Sequence, residues 1–177
     1  YTEKLEARIV KLEEENKNLR EELHKVKIHA IENEQYSRKC NIRIHGFEEV
    51  PQESCVSRVV DFCNEKLKVP LTEEDIEAAH RLRRDRNAGE RPRAIIVRFA
   101  RRATKFKVMK SRRILKRSGT TITDDLTRDM YQAYNRVRND DRVKECWTWD
   151  GKIFAKDHSD RVVRVRYGQP LEELFRR

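Results

Sequence analysis

Glycine and proline are scarce, five and four in 177 residues, and residues 1–37 contain neither. A stretch of that length without a turn former or helix breaker favours one long helix. No apolar run approaches the ~18 residues of a membrane-spanning helix, so no membrane span is expected. The first residues show no signal-peptide pattern, and the opening on Tyr1 rather than Met suggests a fragment of a longer protein. Cysteines are few. Cys40, Cys55, Cys63 and Cys146 form no CxxC and no paired spacing with the five histidines, which argues against zinc. Cys55 and Cys63 instead fit the apolar stripe of a helix, and a reduced intracellular compartment is the simplest reading. With 37% hydrophobic against 41% charged residues, one large core is excluded, and part of the length must be elongated helix or polar linker.

Charge is abundant and unevenly placed. The net charge of +10 and pI near 9.6 fit a polyanionic partner. Residues 76–117 hold sixteen Lys or Arg against three acids, Glu77, Asp85 and Glu90. Apolar residues 94–99, Phe106, Val108 and Met109 interrupt this run, which marks a folded basic surface rather than a solvated tail. The candidate phosphate ligands are Arg81, Arg83, Arg84, Arg91, Arg93, Arg98, Arg101, Arg102, Lys105, Arg112 and Arg113. From Ser118 onward twelve basic residues balance eleven acids, and the concentrated positive field ends.

Residues 1–37 repeat every seven, with Leu5, Leu12, Leu19 and Val26 at d and Ile9, Asn16, Leu23 and Ala30 at a. The g-to-e pairs Arg8/Glu13, Glu15/Arg20 and Glu22/Lys27 are all opposite in sign, as a parallel, in-register coiled coil requires. Asn16 at a, with Ile at a and Leu at d, points to a dimer. Against it, residues 8–13 match the Arg-apolar-x-x-apolar-Glu pattern of parallel trimers, in which Arg8 would bond Glu13 of a neighbouring chain. The trimer is favoured, with the dimer as runner-up.

Beyond a short link the period changes to two in residues 41–45, with Ile42 and Ile44 inward and Arg43 outward. Val56, Val59, Val60, Cys63 and Leu67 then share a helical face, with Ser54 as N-cap and Pro70 as stop. Residues 76–82 and 94–99 predict two strands around a loop at 85–92. A basic helix follows over about 103–115, ended by Gly119, and 120–123 predicts a fourth strand. The order βαββαβ is the ferredoxin-like plan used by RNA-recognition-motif domains. In the remainder, Leu126, Met130, Ala133 and Val137 mark a helix capped by Thr123 or Asp124. Residues 147–154 predict a hairpin about Asp150-Gly151, 161–167 a further strand, and Pro170 opens a final helix. The fold class is α+β: a coiled coil at 1–37, a βαββαβ domain at 38–124 and a small α+β domain at 125–177.

This arrangement resembles the RNA-binding protein encoded by the first reading frame of long interspersed (non-LTR) retrotransposons. The likeness rests on Asn-Ile-Arg-Ile-His-Gly at 41–46, Glu-Ala-Ala-His-Arg at 77–81, residues 91–99, and Thr-Ile-Thr-Asp-Asp-Leu at 121–126. The part around 147–154 is also similar to the few-polyhedra protein of baculoviruses. The resemblance implies a homotrimer that coats single-stranded RNA into a cytoplasmic ribonucleoprotein particle and acts as a nucleic-acid chaperone, with nuclear entry and DNA binding left open. It further implies phosphate contacts by Arg43, Arg98, Arg112 or Arg113, and Arg136. The exposed sheet positions Arg43, Ala94 and Ile96 lack the stacking rings of ordinary RNA-recognition motifs, so readout of base sequence should be poor.

Rival readings are weaker. A basic-zipper regulator would place its basic region before the heptads, not after them. A nuclease could use Asp124, Asp125 and Asp129 for a metal, but a helix start favours acids anyway. The alternative function is a coiled-coil adaptor, or a few-polyhedra-type protein, with incidental nucleic-acid binding. No enzymatic activity, cofactor, metal or small-molecule substrate is expected. Trp147, Trp149 and Phe154 read as core of the C-terminal unit, and Tyr134, Tyr167 and Trp149 as the aromatics to test for stacking.

Overall fold

The computed structural model describes residues 1–84, 86–87 and 89–175. The loop expected at 85–92 contains Asp85 and Ala88, which lie outside the described residues. Among the described residues no helix is long and apolar enough to cross a membrane.

Helix α1 runs unbroken over Thr2–Ser37. Its heptad residues Leu5, Arg8, Ile9, Leu12, Glu13, Asn16, Leu19, Leu23 and Val26 are all exposed, the apolar ones by 46% to 67%. Fully burying a Val, Leu or Ile side chain is worth about 1.5–3 kcal/mol, so this stripe carries a large unused driving force for association. The end of the helix behaves differently. Ile31 and Gln35 are buried, and Ile28 and His24 lie against Gly168.

A four-stranded sheet follows, built from β1 (Asn41–His45), β2 (Ile76–Arg81), β3 (Ile95–Phe99) and β4 (Thr121–Asp124). The order is β2-β3-β1-β4 and every pairing is antiparallel. Period-two alternation puts Ile42, Ile44, Ile95, Val97, Phe99 and Ile122 on one face, where α2 (Cys55–Glu65) and α3 (Arg102–Ser111) cover them with Val59, Phe62, Cys63, Val108 and Met109. Ser54 caps α2 as expected, accepting from the Ser57 amide at 3.3 Å. The basic helix is shorter than its sequence suggested: α3 ends at Ser111 and tightens into a 3-10 turn over Arg112–Leu115. Gly46 is required where β1 ends, because at φ +94° a Cβ would stand 2.2 Å from the Gly119 carbonyl oxygen.

The last third forms α4 (Arg128–Arg138), a three-stranded antiparallel sheet β5 (Val143–Trp149), β6 (Lys152–Asp157) and β7 (Val162–Val165), and α5 (Leu171–Leu174). The cap of α4 is Thr127, whose hydroxyl accepts from the Met130 amide at 3.2 Å, not Thr123 or Asp124. Those two residues are withheld from capping because β4 extends through Asp124. The hairpin turn holds Asp150 and Gly151 at φ 54° and 69°, as a type I′ turn demands. A second buried core unites Met130, Ala133, Val137, Ile153, Ala155, Val165 and Leu171 with Ile31 of α1. All four cysteines are free thiols. Burial pushes the Cys63 thiol up to about 12 and that of Cys146 to about 11, which leaves both unreactive.

Candidate nucleic-acid interface

The face of the four-stranded sheet away from its helices carries Asn41, Arg43 and His45 on β1, Ile96 and Arg98 on β3, and Thr121 and Thr123 on β4. Arg98 is exposed and donates from Nε to Glu77 at 3.0 Å. Arg43 is half-buried. Its Nε donates to Asp125 Oδ1 at 2.7 Å, while Arg38 and Asn41 donate to the same carboxylate at 3.3 and 3.0 Å. Gln35 completes this joint, donating to the Asp125 carbonyl at 3.0 Å and accepting from the Thr127 amide at 2.9 Å. Asp125 and Gln35 thereby tie the end of α1, the first sheet and the connection to α4 into one knot.

Two candidate phosphate ligands are already committed. Lys105 is 1% exposed, with its ammonium 3.1 Å from Asp124 Oδ1, because its position on α3 faces the core beside Val108 and Met109. Arg81 donates to Glu53 at 2.6 Å and to the carbonyls of Phe47, Glu48 and Arg93, which fastens β2 to the loop after β1. Both leave the predicted binding set, since neither can turn its charge outward without stranding a partner acid. Arg84 and Arg93 share Glu49 at 3.1 and 2.9 Å. Hydrogen bonds from Arg93 above all hold the Glu49 carboxyl down to about 2, and Arg81 does the same for Glu53. Arg83, Arg91, Arg101 and Arg113 are exposed. Arg112 is half-buried, with its guanidinium 5.8 Å over the Trp149 ring, and Arg136 is exposed and reaches the Gln169 carbonyl at 3.5 Å.

A cleft of about 420 Å³ opens where α1, the start of α3 and the second sheet meet. Its walls carry Arg38, Lys39, Arg102, Lys152, Arg164 and Arg166 together with the spent Lys105, against only Glu32 and Asp150. Arg102 pairs with Asp150 and lies 5.1 Å over the Phe106 ring. Tyr36 stands at the rim under Lys39, whose hydrogen bond to the phenol lowers its pKa from the usual 10.0. Arg164 and Arg166 are exposed and make no side-chain ion pair among the described residues. Charge counting missed Lys152, Arg164 and Arg166 because the last third is nearly neutral as a whole, and Lys39 because it lies outside the basic run at 76–117. Its acids are consumed elsewhere: Asp140 by Arg142, Asp157 by Arg161, and Asp160 by Lys144 and Lys156. The signal available was the alternation in β7, which sends Arg164 opposite to Val163 and Val165.

The aromatics also trade places. Tyr134 and Tyr167 pack on the second core, and Trp149 packs on the first core and stacks on Phe106 at 5.8 Å. Trp147 and Phe154, expected in the core, belong to neither. Among the described residues no group of three His, Cys, Asp or Glu side chains is placed to hold a metal ion. Asp124 and Asp125 face Lys105 and the arginines instead.

No protein-family model matches the sequence, and no curated protein matches it significantly.

Proposed function

We infer that the chain is a homo-oligomeric binding protein for single-stranded nucleic acid, chiefly RNA, that coats a retrotransposon transcript and remodels its strands as a chaperone. The observation that carries this reading is the basic cleft between α1, the start of α3 and the second sheet. A polyanion entering it would meet Lys39, Arg164 and Arg166, which make no ion pair among the described residues, with Arg102 and Lys152 sharing Asp150 and Arg38 held by Glu34 and Asp125. Neutralising phosphates there releases condensed counterions, which gives affinity without sequence readout and a steep salt dependence. The β2-β3-β1-β4 order and the two helices on one face are those expected of an RNA-recognition-motif-like domain, and support the same reading.

The heptad stripe of α1 supplies the means of oligomerisation. Several weak cleft sites on one stalk would bind a common strand with avidity ~10²-fold or more above a single site, while each site still releases quickly.

Binding of a fluorescent ~30-nucleotide RNA across a salt series tests this, with the parent chain and with Arg164→Ala/Arg166→Ala; each lost phosphate contact should flatten the logarithmic salt slope by roughly 0.7. Weak RNA binding that ignores both arginines would leave the coiled-coil adaptor as the better account.

A further inference from the structure

Trp147 and Phe154 are cross-strand partners, and Phe154 in turn opposes Arg164. Their neighbours in the same strands, Cys146, Ile153, Ala155, Val163 and Val165, all contribute to the core beneath α4. Side chains alternate across a strand, so Trp147, Phe154 and Arg164 form a row on the opposite face. In that row the two rings stack, centroids 6.0 Å apart and planes inclined by 15°, and both keep part of their surface in solvent. The row runs into the basic cleft, because Arg164 belongs to both. Lys152, two residues before Phe154 and therefore on the same face, lines the cleft as well.

Two large rings held half exposed on adjacent strands, with an arginine at one end, match what unpaired bases need. Every base has a π-face, and aromatic side chains on a sheet surface stack on it without reading its identity. We propose that Trp147 and Phe154, continued by Arg164, form a stacking platform for the unpaired bases of the strand whose phosphates lie in the cleft. This rests on the nucleic-acid reading above and deepens it: the platform selects single strands, since the bases of a duplex are already stacked on one another. The occupant is a nucleic acid rather than an apolar peptide because the flanking side chains that also line the cleft, Arg164 and Lys152, are cationic. The competing explanation is a cross-strand aromatic pair that only stabilises the hairpin.

The whole chain is titrated against a labelled 30-nucleotide RNA and against the same RNA annealed to its complement. Trp147→Leu/Phe154→Leu should lose about tenfold in single-strand affinity, the scale of a stacked base, with duplex binding and salt slope unchanged. Trp147→Phe/Phe154→Tyr should restore the loss. In a Trp149→Phe background, emission from Trp147 should be quenched as RNA saturates the protein. Equal affinity of the leucine variant and the parent for single-stranded RNA overturns the platform but leaves the basic cleft standing. So does unquenched Trp147 at saturation, which decides the matter if the leucine variant fails to fold. A parent chain that binds no RNA overturns both the platform and the function.

Discussion

Lys105 shows how burial changes what a charge means. Its ammonium and the Asp124 carboxylate face each other at 3.1 Å in the core, yet neither Asp124 oxygen has a hydrogen-bond partner. The contact is ionic and desolvated, so removing one partner leaves the other uncompensated. Lys105→Met should destabilise the chain by about 3–5 kcal/mol, and adding Asp124→Leu should recover most of that loss. Urea denaturation of the two variants measures both effects. Lys105→Met should leave the RNA salt slope near that of the parent, in contrast to the Arg164 and Arg166 substitutions. The position was misjudged from sequence because it lies in a run of basic residues, whereas the helical period relative to Val108 and Met109 is what turns it inward.

At the scale of elements, the loop after β1 is pinned to the β2–β3 hairpin by Glu49 and Glu53. These acids bond Arg93 and Arg81 across 44 and 28 residues of chain. Both carboxyls sit at about 2 against an ordinary 4.5. The unfolded chain therefore takes up their protons first as pH falls, and the stabilisation is complete above about 4.5 and lost on the way down to 2. The melting temperature should fall through that window. Glu49→Gln/Glu53→Gln should begin lower at neutral pH and fall less steeply, as followed by circular dichroism. The strands themselves were legible as alternating runs. The pairing of their loops was not, because it joins segments that only the sheet brings together.

For the molecule as a whole, the two faces of α1 divide its work. His24, Ile28, Ile31 and Gln35 face the C-terminal unit and occupy heptad positions b and f, roughly 150° around the helix from the a/d seam at 100° per residue. The globular part therefore docks on the back of the helix and leaves the heptad face exposed. Leu12→Asp/Leu19→Asp should reduce the native mass to the 21.3 kDa of one chain in sedimentation, without loss of the melting transition of the sheets. The same variant should bind RNA with a salt slope per chain like that of the parent but with lower apparent affinity, because linked sites are lost.

Local pattern was enough to place the long helix, the strands and the Asp150-Gly151 turn, since heptad spacing, period-two alternation and the absence of glycine and proline act within a few residues. Which cations remain available for a phosphate was decided by tertiary contact. Glu49, Glu53, Asp124 and Asp125 each find an arginine or lysine distant in sequence, which removes Arg81 and Lys105 from the surface and ties Arg43 to Asp125. The folding of the nearly neutral last third does the reverse, gathering its acids around other partners and leaving Arg164 and Arg166 beside Lys39, just past the end of α1. An ion pair depends on the approach of two groups in space, and composition along the chain carries no record of that distance.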